Sequence, residues 1–87
     1  MQPINVERMN HTLAHKMGRV IRLLRTEAHL SQEDLAARCG LHRTYIGSIE
    51  RGEKTITIET AHKLATAFGV ALSHLFIQLE AQEQEEG

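Results

Sequence analysis

The chain of 87 residues has one cysteine, Cys39, so no internal disulfide can form. It has no apolar run near the roughly 20 residues that a membrane-spanning helix needs. Its first ten residues, MQPINVERMN, have no apolar stretch of the kind a secretory leader uses, and a cytoplasmic protein is expected. There is no HExxH arrangement, no cysteine cluster and no phosphate loop. No set of nucleophile, base and orienting group can be assembled either, so neither enzymatic activity, nor a metal, nor a cofactor is expected. His11 and His15 stand at i and i+4 but lack an obvious third ligand, so they are taken as a solvated pair.

Net charge is also scarce, at a formal −1, but it is unevenly spread. Glu80, Glu83, Glu85 and Glu86 crowd the last eight positions, leaving residues 1–79 with ten Lys and Arg against seven acids, a formal +3. The ending LEAQEQEEG has no apolar periodicity, so residues 80–87 are expected to be an acidic, flexible, solubilising tail. Mimicry of DNA by this tail is the less favoured alternative. Residues 1–11 carry Pro3, Ile4, Val6 and Met9, too few for a core, and are expected to be an N-terminal extension without assigned chemistry. With 41% apolar and 24% charged residues, the chain has the composition of one small globular domain, worth about 5 to 10 kcal/mol of stability.

What is present is concentrated between Ser31 and Gly52, SQEDLAARCGLHRTYIGSIERG. Ser31 suits a helix N-cap, and Glu33 and Asp34 suit the positive end of that helix's dipole. Leu35, Ala36 and Cys39 then share one face, which makes Cys39 a buried thiol. Gly40 closes the helix, and a second one begins near His42 or Thr44 and ends at Gly52. In the second helix Tyr45, Ile46 and Ile49 have inward spacing. Thr44, Gly47, Ser48 and Arg51 take the opposite side, with Arg43 at the start. Gly47 costs a helix interior about 1 kcal/mol relative to alanine, which points either to close approach of another surface or to a tolerated surface glycine.

The spacing elsewhere predicts three further helices and no strands, giving an all-α, compact five-helix domain over residues 12–79. A first helix runs from about Asn10 or Thr12 to Glu27, with Leu13, Met17, Val20, Ile21 and Leu24 as its apolar stripe. Thr57 caps a fourth, with Ile58, Ala61, Leu64, Ala65 and Phe68 inward and Gly69 as its stop. A fifth begins near Ala71 or Leu72 and carries Leu75, Phe76 and Leu79. Glu50 meets the negative end of its own helix dipole and calls for a cation, for which Arg25 is the best candidate.

SQEDLAARCGL followed by RTYIGSIERG resembles the helix-turn-helix of the phage repressor and Cro type, the Xre family of small DNA-binding regulators. VIRLLRTEAHLSQ upstream is similar to the end of that family's first helix, and TIETAHKLATAFGVALSHLF to its fourth and fifth. The resemblance covers roughly Leu13 to Leu79, and RTYIGSIERG with TITIET is most similar to the controller proteins of restriction-modification systems. Helices two and three are then the helix-turn-helix. Arg25 and Glu50 align with a structural ion pair of the family, while Ala71 stands where family members often have a serine or threonine cap.

The function implied is transcriptional regulation through sequence-specific binding of double-stranded DNA, with helix three in the major groove. Arg43 suits O6 and N7 of guanine, Thr44 a phosphate or a thymine methyl, and Ser48 a second base or a water-mediated contact; these three match the family's base-reading positions. Gln32, His42, Tyr45, Arg51 and Lys54 are the candidate phosphate contacts. A homodimer on a palindromic operator is expected, with Leu72, Phe76, Ile77 and Leu79 at its interface. The alternative is an antitoxin-type module that neutralises a partner protein and regulates its own operator.

Overall fold

The computed structural model describes residues 12–86, so residues 1–11, including the N-terminal extension and His11 of the histidine pair, lie outside the described residues. The described residues form five α-helices and no strand: α1 (Leu13–Glu27), α2 (Gln32–Cys39), α3 (Arg43–Glu50), α4 (Ile58–Phe68) and α5 (Leu72–Glu86). Side chains set most of the starts. Thr12 Oγ1 accepts the His15 N–H at the head of α1, and Thr57 Oγ1 accepts the Thr60 N–H at the head of α4. Each satisfies a donor that the first helical turn leaves without a partner.

The helices surround one core. Val20 and Ile21 of α1, Leu35 of α2, Ile46 and Ile49 of α3, Leu64 and Ala65 of α4 and Leu75 of α5 are essentially inaccessible to solvent. α1 runs behind both α3 and α5, which makes it the beam against which α3 is set. Gly18 makes this crossing possible. A methyl group there would collide with the backbone carbonyl oxygens of Ile49 and Glu50, the latter only 2.7 Å away, and backbone cannot step aside.

Two expectations are corrected. Leu13 and Ile58 belong to the apolar stripes read from the sequence but stand 56% and 60% exposed. Both lie in the first turn of their helices, beyond the reach of the core. In the acidic end α5 continues helically as far as Glu86. Adding Glu, Gln and Ala to an already packed helix needs no new nucleus, and these residues are good helix formers. Lys16 Nζ of α1, 4.0 Å from Glu83, lies beside this extension.

Candidate nucleic-acid interface

The two helices at the front of the molecule are joined by a turn of three residues. Ser31 opens α2 with a reciprocal box: its Oγ accepts the Asp34 N–H and its N–H donates to Asp34 Oδ2, both at 3.0 Å. The bond from the Ser31 backbone N–H to the charged carboxylate is the main cause that holds Asp34 below its ordinary pKa. Gly40 ends α2 in the left-handed conformation, φ 68°, and the Leu41 N–H returns to the Ala36 carbonyl at 2.9 Å. His42 is the N-cap of α3, with Nδ1 accepting the Thr44 N–H at 3.1 Å. The cap leaves Nε2 as the imidazole nitrogen open to an outside partner.

Behind α3 lies a polar clamp. Arg25 Nε donates to Glu50 Oε2 at 2.6 Å and Nη2 to Oε1 at 3.0 Å, while Nη1 donates to the Leu30 carbonyl at 2.8 Å. The side chains are only 13% and 4% exposed. Gln32 Nε2 also donates to Glu50 Oε1, at 3.2 Å. One carboxylate thus ties α3 to the end of α1 and to the start of α2. Two parallel N–H to oxygen bonds fix orientation as well as distance, so the clamp sets the pitch of α3. Gln32, offered by the sequence as a phosphate ligand, has its amide directed at Glu50.

In front of α3 the side chains are open at its start and closed at its end. Arg43 and Thr44 are exposed, and Arg43 Nη1 donates to Glu33 Oε1 at 3.2 Å. Tyr45 is half-buried, packed against the core. Ser48, expected on the open face, is 9% exposed, and its hydroxyl donates to the Thr44 carbonyl at 3.1 Å. Beside it lies Arg51, whose Nη2 is 3.5 Å from Ser48 Oγ and whose Nη1 is 3.0 Å from where a Cβ on Gly47 would be. Arg51 in turn pairs with Glu53, Nε to Oε2 at 2.8 Å and Nη2 to Oε1 at 3.1 Å. Lys54 is exposed just beyond.

Sequence reasoning thus brought Arg43, Thr44, Gln32, Ser48 and Arg51 to one end of the molecule but missed Glu53. Its signal was the short Arg51-Gly52-Glu53 spacing, in which a glycine can fold two opposite charges together.

The helix-turn-helix family profile matches residues 21–75, well over half of the chain. The chain belongs to the helix-turn-helix family. Its relatives within that family include control proteins. C.BamHI of Bacillus amyloliquefaciens is 38% identical over 63 residues, covering 71% of this chain and 78% of that protein. C.MunI of Mycoplasma is 37% identical over 68 residues, covering 77% and 92%. The restriction-modification controller protein C.AhdI of Aeromonas hydrophila superposes with a TM-score of 0.71 at 43% identity, over 72% of this chain and 96% of that one. The C.Esp1396I controller tetramer in complex with its natural 35-base-pair operator gives 0.75 at 34% identity, over 80% and 92%. The resemblance to the Xre group, and to its restriction-modification controllers in particular, is established by these relatives.

The four residues expected at the subunit interface differ in their exposure. Leu79 is 9% exposed and belongs to the chain's own core, and Leu72 and Phe76 are half-buried against it. Ile77 alone of the four stands open, at 59%. Phe76 and Leu79 instead border an apolar groove with Leu13, Met17, Ile56 and Ile58. Among the described residues no single helix is long and apolar enough to cross a membrane.

Proposed function

We infer that this helix-turn-helix protein is a transcriptional regulator that binds double-stranded DNA sequence-specifically, as a homodimer on a palindromic operator, with α3 in the major groove. The observation that carries this is the asymmetry of α3: its rear is locked by Arg25 and Glu50, while Arg43 and Thr44 stand open at its N-terminal end. A recognition helix needs that combination, because the N-terminal residues reach base edges only if the helix pitch is fixed.

Arg43 is assigned to guanine and Thr44 to a thymine methyl or a phosphate, with Ser48 contributing a second base contact once Arg51 moves aside. His42 through Nε2, Tyr45, Arg51 and Lys54 are assigned to phosphates. Gln32 serves mainly by holding Glu50. Exposed Ile77, Ile58 and Leu13 are assigned, with the neighbouring Leu72, Phe76 and Leu79, to the pairing of two chains, and half-sites on such an operator lie about one helical turn, roughly 34 Å, apart. The related C.Esp1396I assembles as a tetramer on its operator, and by analogy a second dimer of this chain can occupy a neighbouring site. Such a regulator acts in the cytoplasm, where its DNA lies.

Binding of a fluorescent palindromic duplex, titrated across salt concentrations, tests the reading. A dimer meeting about eight phosphates gives a log-log slope near −7. Absent or salt-insensitive binding would favour the protein-neutralising alternative.

A further inference from the structure

The Arg51–Glu53 pair sits on the face that the proposed function gives to DNA, and its geometry has a cost for binding. Gly52, at φ 77°, reverses the chain at the end of α3, and the Glu53 N–H is fixed to the Ser48 carbonyl at 2.9 Å. The Glu53 carboxylate is therefore placed by backbone rather than by a free side chain alone. It accepts both arms of the Arg51 fork, at 2.8 and 3.1 Å. The guanidinium so held lies over Gly47, where any side chain would crowd it, and beside the Ser48 hydroxyl.

We propose that Glu53 is a positioning residue that sets the threshold for DNA binding, acting as an internal rival to phosphate for the Arg51 guanidinium. The inference rests on the reading of α3 as a DNA-binding helix. Arg51 cannot give both arms of its fork to a phosphate while Glu53 holds them, and Ser48 cannot reach a base while the guanidinium covers it. The pair is 57% and 53% exposed, so water and salt weaken it and DNA can displace it. The effect is a toll on every complex that uses Arg51, not a block.

A double-mutant cycle on the full chain tests this, with anisotropy of a fluorescent 20-base-pair duplex of mixed sequence as the readout. Glu53→Gln tightens binding about threefold, the scale of one exposed ion pair. In an Arg51→Gln background the same change alters affinity less than about 1.5-fold. Glu53→Asp keeps the charge but shortens the reach that closes the fork, and it also tightens binding. Equal tightening by Glu53→Gln in both backgrounds, with none from Glu53→Asp, would mean simple repulsion of phosphate and would overturn the proposal. Wild-type binding that Glu53→Gln leaves unchanged overturns it as well while sparing the functional reading. No binding by the wild type removes both.

Discussion

At the scale of single residues, the decisive group is Glu50. Its carboxylate is nearly closed to solvent and depends on Arg25 and Gln32 for every bond it makes to another side chain. Removing one member strands the other charge, so Arg25→Ala or Glu50→Ala should each cost about 3 to 5 kcal/mol in thermal or denaturant melts. The pair was legible in the sequence because an acid at a helix C-terminus needs a cation. The bond from Gln32 to Glu50 was not legible, because a polar residue at a helix start looks the same whether it faces a phosphate or a neighbouring carboxylate. The low exposure of Ser48 was not legible either: helical spacing puts it on the outer face, but spacing does not tell that Arg51 folds back beside it.

Asp34 gives a residue-scale pH dependence. The Ser31 backbone N–H that its carboxylate accepts lowers its pKa in the folded chain, so the ionised form contributes stability that is complete above the unfolded value. That contribution disappears as pH falls through the carboxylate range, below about pH 4. Wild type should therefore lose more melting temperature between about pH 5 and pH 2.5 than Asp34→Asn loses.

At the scale of elements, the helix starts were the most readable feature, since Ser31 and Thr57 are both caps and each commits its own hydroxyl. The crossing of α1 over α3 was not readable. Gly18 is an interior helix glycine like Gly47, and only the packed structure tells that its missing side chain is filled by the backbone of the last turn of α3. Gly18→Ala would raise helix propensity in isolation, yet it should destabilise the protein by about 1 to 3 kcal/mol, as overpacking does. Calorimetry checks the sign, which is opposite for the two effects. The acidic end of α5 escaped sequence reading for a different reason: a segment with no apolar stripe can still continue a helix begun by residues that have one.

For the whole molecule, the five helices build a rigid rear and an open front. α1 and the Arg25–Glu50 clamp fix α3, and the exposed side chains near its start and just past its end are few: Arg43 and Thr44, which we propose for bases, and Arg51 and Lys54, which we propose for phosphates. The fold as a whole was legible because five apolar stripes, two caps and three terminal glycines agree on one arrangement. The subunit interface was less so, because apolar spacing identifies Leu79 as sticky without telling whether its partner is the same chain or another. Exposed Leu13, Ile58 and Ile77 now form the more accessible apolar set.

The most direct test of a rigid α3 that reads DNA from its N-terminal end is selection of bound duplexes from a random-sequence library, by wild type and by Arg43→Ala. The account predicts a palindromic consensus for the wild type, with half-sites about 10 base pairs apart and a guanine in each. Arg43→Ala should lose the preference for that guanine and keep the rest of the pattern. Enrichment of no sequence, or a consensus that Arg43→Ala leaves unchanged, would contradict it.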